Sequence, residues 1–181
     1  MSGSDRVDRS ETDPGLVRAP LHAIYADLDA EVARMAPVCQ LSGRCCRFEE
    51  YGHTLFLSGP EAALLLAEAP PPSRSLDDGA SCPWQDASGL CTAREARPLG
   101  CRVYFCDPAF QADAPGLSEV YLGRLKRLVD DLGLGWNYAP LHHHLRRAEA
   151  EGRFSSPAPD SPCTGQEGAD PETAAAPRAR F

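Results

Sequence analysis

Cysteine is the residue type in this chain with the clearest potential for chemistry. The sequence contains eight cysteines among 181 residues, and seven of them lie between residues 39 and 106. These seven are Cys39, Cys45, Cys46, Cys82, Cys91, Cys101 and Cys106. Thiolates are soft ligands that suit zinc, copper(I) and iron–sulfur clusters. The clustering therefore predicts that these residues bind a metal.

The number of clustered thiols exceeds what one metal centre uses. A structural zinc ion takes four ligands, and a [4Fe–4S] cluster also takes four cysteines. The surplus predicts either that some of the cysteines are structural or that the site holds more than one metal atom. The eighth cysteine, Cys163, lies in a segment rich in Pro, Ala and Ser and is not expected to be a ligand.

Five arginines accompany the cysteines, and their charge suits a thiolate site. Four thiolates around a divalent ion leave a formal surplus of about −2, because the bound sulfurs must be deprotonated. Nearby guanidinium groups would offset that charge and favour thiolate over thiol. The alternative is that these are ordinary surface arginines. The five are Arg44, Arg47, Arg94, Arg97 and Arg102.

The adjacent pair Cys45 and Cys46 constrains the geometry of any shared site. In extended backbone, neighbouring side chains point to opposite faces, so both thiols can bind one ion only if the loop bends sharply. Gly43 favours such a bend because glycine adopts positive φ without a steric penalty. Without the bend, one thiol would face the metal and the other would face the core or a second metal.

The spacing of the cysteines resembles that of a known family. The run Cys39-Gln-Leu-Ser42-Gly43-Arg-Cys45-Cys46 is similar to the C-x-x-C-G-x-C-C signature of the CxxCxxCC, or YkgJ-like, family, described as zinc- or iron-chelating domains. The runs Cys82-Pro-Trp, Gly89-Leu-Cys91 and Arg97-Pro-Leu-Gly-Cys101-Arg resemble the second half of that pattern, including its R-P-x-x-C-R element. The likeness covers about residues 36–106. It implies metal binding and identifies no substrate.

One position departs from that pattern. Ser42 stands where the family has its second cysteine, and serine is a poor ligand for zinc or iron at neutral pH. The resemblance therefore implies a site that has lost one of its usual thiolates. Cys106 lies outside the usual pattern, and we hypothesise that it compensates for Ser42.

The rest of the sequence predicts the elements that position these residues. Apolar residues at three- and four-residue steps predict amphipathic helices over 16–36 and 117–132. Ser58 and Glu61 are spaced as a capping box, which predicts a helix over about 59–68 after a short strand over 54–57. A further helix is expected from Leu141 to about residue 151. Segments 39–47 and 69–81 are expected to be loops, and 82–106 to be short and irregular.

These elements predict one metal-tied domain over residues 16–151. Its class is α+β, mainly helical, with short strands and irregular cysteine-rich loops. The helices over 16–36 and 117–132 are expected to pack across those loops, and Trp136 and Tyr138 are expected in the core. Residues 1–15 and 152–181 have compositions typical of disordered tails.

Composition and charge limit the classes of partner. The net charge of −8 gives no general attraction for nucleic acid or anionic lipid. No apolar run approaches the ~18 residues that cross a bilayer, and no targeting segment is recognised. We therefore expect a cytoplasmic protein that binds a metal ion and neither nucleic acid nor membrane, with no protein partner identified. Cytoplasmic thiols stay reduced, which disfavours a disulfide framework.

The sequence identifies no catalytic residue. It contains no glycine-rich phosphate loop, no G-x-S-x-G motif and no H-E-x-x-H motif. His53 is a further candidate ligand, whereas the three histidines from 142 to 144 should fan outward from a helix.

The expected function is binding of zinc or iron, in a structural, storage, delivery or sensing role. The alternative is an iron–sulfur protein, for example with a [4Fe–4S] cluster, that has a redox or enzymatic, modification-type activity. Buried free cysteines without a metal are a further alternative.

Overall fold

Helices supply most of the regular secondary structure in the described part of this chain. A computed structural model describes residues 13–158, so Cys163 and most of the tails expected over 1–15 and 152–181 lie outside the described residues. The elements are α1 (Pro14–Met35), β1 (Phe56–Ser58), α2 (Gly59–Glu68), α3 (Leu99–Arg102), α4 (Pro108–Asp131), β2 (Tyr138–Pro140) and α5 (Leu141–Ala150). Strands β1 and β2 pair antiparallel, with Leu57 opposite Ala139. The predicted α+β, mainly helical class is confirmed.

Helix α1 follows from its apolar stripe and its caps. The carboxylate of Asp13 accepts a hydrogen bond of 2.8 Å from the backbone N–H of Gly15, and Pro14 needs no partner in the first turn. The helix therefore begins two residues before the predicted start and takes Pro14 and Gly15 from the expected tail. One stripe of the helix is buried, comprising Val17, Leu21, Ile24, Tyr25, Leu28 and Val32.

Helix α4 begins at Pro108, well before the predicted residue 117. Asp107 caps it by accepting a hydrogen bond of 3.0 Å from the N–H of Ala109. Pro108 is tolerated because it lies in the first turn, where N–H groups have no helical partner. Pro115 lies inside the helix, where it removes a single backbone N–H from a helix of 24 residues. The apolar stripe that predicted this helix begins only at Leu117, so the prediction missed the turns before it.

Two apolar clusters hold the described chain together. The first joins α1 and α4, with Leu64 of α2 and Leu99 of α3 at its edge. The second lies beneath the cysteine-bearing segments and includes Cys46, Cys82 and Trp84 with residues of α2 and α5. Helices α1 and α4 thus pack on each other, and both contact α3, which carries Cys101.

Three aromatic residues in the last part of the domain lie in places that differ from expectation. Trp136 and Tyr138 were predicted to be core residues, but they are 36% and 39% exposed and stack on each other at the surface. Phe154, in the segment expected to be a tail, packs on Trp84 of the second cluster.

Among residues 13–158, no helix combines the length and apolarity needed to span a bilayer.

Candidate metal centre

A sharp turn carries the adjacent cysteines Cys45 and Cys46. Gly43 has a φ of +68°, and the backbone then forms a 3-10 turn over Arg44–Cys46. A Cβ atom on Gly43 would lie 2.3 Å from the carbonyl oxygen of Gly89. Only glycine therefore fits this position, for reasons of both backbone conformation and space.

The same turn is tied to the second cysteine-bearing segment. The side-chain amide of Gln85 donates to the carbonyl oxygens of Gly43 and Gly89, both at 3.0 Å. The backbone N–H of Cys82 donates to the carbonyl of Cys46 at 2.8 Å. These bonds hold Cys82 and Cys91 opposite the turn, and Gln85 is a positioning residue that motif reasoning missed.

A buried carboxylate fixes the helix that carries Cys101. One oxygen of Glu61 accepts hydrogen bonds from the hydroxyl of Tyr25 at 3.0 Å and from the N–H of Leu99 at 2.9 Å. The other accepts from the N–H and the hydroxyl of Ser58, both at 2.9 Å. Glu61 is only 2% exposed. It therefore joins α1, β1 and α3, a role that its predicted capping box did not reveal.

Six of the seven predicted ligands line one cavity of about 60 Å³. They come from separate stretches of the chain and are Cys39, Cys45, Cys46, Cys82, Cys91 and Cys101. The sulfurs of Cys45 and Cys46 are 3.9 Å apart, so the turn directs both adjacent thiols into the same cavity. Tetrahedral zinc with Zn–S bonds of about 2.3 Å separates its sulfurs by about 3.8 Å. The observed separation matches that spacing.

The seventh cysteine, Cys106, borders an adjoining cavity of about 40 Å³. Its sulfur lies 3.4 Å from the hydroxyl oxygen of Ser42. Cys39, Cys45, Cys46 and Cys91 line both cavities, so the two are contiguous. Ser42, which departs from the family pattern, therefore lies beside Cys106, which we hypothesise compensates for it.

Thiol–thiol contacts shift the pKa values of the cluster in opposite directions. The hydrogen bond from Cys46 lowers the pKa of Cys45 to about 7 and that of Cys91 to about 6, with the charge of Arg97 helping in both cases. The same contacts raise the pKa of Cys46, first through Cys45 and then through Cys82 and Cys91. Burial raises the pKa of Cys101. Cys45 and Cys91 are therefore the thiols that lose their protons most readily, whereas Cys46 and Cys101 stay protonated.

Within residues 13–158, no group of three or more His, Cys, Asp or Glu side chains already stands at the positions of a metal site. The thiols border a common cavity without all pointing at a common point. Binding of one ion would therefore require some of these side chains to change rotamer.

The five arginines divide into three sets. Arg94 and Arg97 line the thiol cavity. Arg44 and Arg47 instead lie over the ring of Tyr51, at 5.2 and 4.9 Å. Arg102 is structural, because it is 7% exposed, pairs with Asp29 at 2.5 Å and donates to backbone carbonyls. Charge compensation at the cavity therefore falls to Arg94 and Arg97.

The histidines lie outside the thiol cavity. His53 lines a separate neighbouring cavity, together with Tyr104. His144 is buried and its Nε2 lies 2.9 Å from the carbonyl oxygen of Leu57, which accounts for it structurally. His142 and His143 contact each other edge to face near the surface. Sequence reasoning also missed the aromatic wall of the thiol cavity, Tyr104 and Phe105, which the short interval between Cys101 and Cys106 encodes.

Comparisons with protein families, curated proteins and solved structures find no match to this chain.

Proposed function

We propose that this protein binds zinc or iron through its cysteine cluster. The observation that carries the proposal is that six thiols from four stretches of chain line one small cavity. A metal bound by these thiols would tie the separate stretches together. The resemblance to the CxxCxxCC family points to the same function.

Exposure argues against the view that these cysteines are simply small core residues. Cys46 and Cys82 are buried, but Cys39 is exposed and the other four are partly exposed. Free cysteine that serves only as a hydrophobe is among the most buried residue types. The guanidinium groups of Arg94 and Arg97 at the cavity would also be poorly explained by an apolar role.

The spacing favours particular ligands. Cys45, Cys46, Cys82 and Cys91 form a connected group around Cys46, so we propose that they bind first. Cys101 borders the same cavity, and Cys39 lies at its exposed side.

Metal analysis after purification without oxygen tests the proposal. We expect at least about one zinc or iron per chain, in line with the four-thiolate stoichiometry of such sites. Cys46→Ser should lose most of that metal, because Cys46 contacts the other proposed ligands. Cys163→Ser is the matched control and should keep it. A wild-type chain free of transition metal would contradict the proposal, as would equal metal content in both variants.

A second candidate is an iron–sulfur protein with a redox or modification-type activity. The observation that favours it is the pair of contiguous cavities, which seven thiols border although one ion needs four. Acid-labile sulfide and a brown colour in the anaerobic sample would support a cluster. A colourless, zinc-containing sample without sulfide would exclude it.

A further inference from the structure

The thiol of Cys46 contacts three other thiols. Its sulfur lies 3.9 Å from that of Cys45, and it also hydrogen-bonds to the thiols of Cys82 and Cys91. All four cysteines are free in this structure. Thiols in contact need only small rotations to reach the S–S distance of about 2.05 Å that a disulfide requires. The contacts that suit a metal therefore also place Cys46 within reach of a disulfide partner.

The adjacent residue Cys45 is a poor disulfide partner for Cys46. The Cα atoms of neighbouring residues in a chain are about 3.8 Å apart. Disulfides usually join residues whose Cα atoms are about 4.4–6.8 Å apart, and departures from that range strain the bond. Cys82 and Cys91 remain as partners, because neither is next to Cys46 in the chain.

Exposure selects Cys91 over Cys82 as the thiol that an oxidant meets first. Cys46 and Cys82 are only 5% and 7% exposed, whereas Cys91 is partly exposed and borders both thiol-lined cavities. Arg94 and Arg97 line the larger of the two, and reactive cysteines are typically partly exposed beside cationic groups. That cavity of about 60 Å³ has room for a peroxide, since one water needs only about 10–15 Å³.

We infer that Cys46 and Cys91 form a reversible disulfide when the metal-free protein meets hydrogen peroxide. The thiolate of Cys91 attacks one peroxide oxygen, the O–O bond breaks, and a sulfenic acid and hydroxide are formed. The sulfur of Cys46 then attacks the sulfenic sulfur. The S–S bond forms, the S–O bond breaks, and the hydroxyl group leaves as water with the proton of Cys46. Two thiols are oxidised and one peroxide is reduced.

This disulfide would regulate the metal site, a consequence that rests on the proposed function. Cys46 and Cys91 are two of the four cysteines proposed to bind the metal first, and a disulfide sulfur is no longer a thiolate ligand. The metal and the disulfide therefore exclude each other. Disulfides of this transient, redox-sensing kind are the ones that occur in reducing compartments.

Mapping of the linked peptides tests the inference on the wild-type protein. The full-length chain is reduced, treated with a chelator and then with hydrogen peroxide, alkylated, and digested without further reduction. Trypsin with a protease that cleaves before aspartate separates Cys82 from Cys91, because Asp86 lies between them. We expect the fragments 45–47 and 86–94 as the main linked pair, with about one peroxide consumed per disulfide. A main linkage through Cys82, or none at all, would overturn the inference.

Two adjacent substitutions identify which cysteine of fragment 45–47 carries the link. Cys45→Ser should keep the linkage to Cys91, whereas Cys46→Ser should lose it. The reverse result would overturn the inference.

Zinc binding before and after oxidation tests the regulation. The linked wild-type protein should lose zinc binding and regain it after reduction with dithiothreitol, because two thiolate ligands are removed and then restored. Undiminished zinc binding by the linked protein would overturn the mutual exclusion. A reduced protein that binds neither zinc nor iron would contradict the proposed function instead, and the peptide map would still report on the disulfide.

Discussion

At the scale of single residues, Ser42 and Cys106 decide whether the site keeps its full set of thiols. Their side chains lie 3.4 Å apart although 64 residues separate them in the chain. A thiol at Cys106 therefore sits close to where a cysteine at position 42 would place its sulfur. Under the proposed function, Cys106 would take the place of a ligand at position 42 without a change in the rest of the cluster.

Replacement of Cys106 tests this exchange. We expect Cys106→Ser to weaken metal retention by at least about tenfold in competition with a chelator, because substitutions around a metal site commonly cost 10- to 100-fold in affinity. The double variant Ser42→Cys with Cys106→Ser should recover most of the loss, because it returns a thiol to the family position. If Cys106→Ser holds metal like the wild-type protein while Cys101→Ser loses it, Cys106 has no such role.

The residue types were predictable from the sequence, but their convergence was not. All seven clustered cysteines could be named as candidate ligands because their clustering is visible in the linear sequence. The approach of Cys106 to Ser42 and the burial of Glu61 depend on contacts across 64 and 38 residues. Arg102 was predicted to compensate thiolate charge, yet it pairs with Asp29 on α1, a partner that lies 73 residues away. Local spacing carries no information on such pairs.

At the scale of the elements, the turn at Gly43 and the buried Glu61 hold the cysteine-bearing segments in place. The turn aims Cys45 and Cys46 into one cavity, and Glu61 anchors the helix that carries Cys101. Neither feature needs a metal to form. The protein thus supplies part of the geometry of the site in advance.

Substitution of Gly43 should disturb this turn. Gly43→Ala introduces a Cβ that would meet the Gly89 carbonyl at 2.3 Å in a backbone conformation with positive φ. We expect a loss of about 2–3 kcal/mol in the free energy of unfolding, measured with urea. Gly52→Ala is the control, because Gly52 also has positive φ but nothing within 4 Å of the added carbon. It should cost only about 1–2 kcal/mol, and equal losses would show that the contact with Gly89 is unimportant.

Removal of the charge at Glu61 should loosen α3. Glu61→Gln keeps the shape but turns one acceptor into a donor that faces the donors of Tyr25, Ser58 or Leu99. We expect a loss of about 2–4 kcal/mol in unfolding free energy, because buried donors are left without an acceptor. Glu68→Gln removes a partly exposed ion pair at the end of the same helix and should cost less than about 1 kcal/mol. A Glu61→Gln protein as stable as the Glu68→Gln protein would refute this role.

The elements themselves were predicted unevenly. Periodic apolar residues gave the position of α1 and the capping box gave that of α2, since both signals are local. The start of α4 was missed because the apolar periodicity begins at Leu117, although Asp107 followed by proline is a typical helix start. Strand β2 was missed because it is three residues long and exists through its pairing with β1.

At the scale of the whole molecule, the two apolar clusters have different structural roles. The cluster of α1 and α4 provides stability from helix packing, and the second cluster supports the cysteine-bearing segments. Helix α2 contributes Leu64 to the first and Leu65 to the second, so it joins the two. A fold built in this way can present irregular loops around a cavity without losing its helical framework.

X-ray absorption at the edge of the bound metal tests the central claim most directly, because it counts the sulfur atoms that touch the metal. We predict a first shell of sulfur, about four atoms at about 2.3 Å for zinc. The same measurement on Cys46→Ser should show fewer sulfurs or no metal. A shell made only of nitrogen or oxygen ligands at about 2.0–2.1 Å would contradict the account, since the metal would then lie elsewhere than among these thiols.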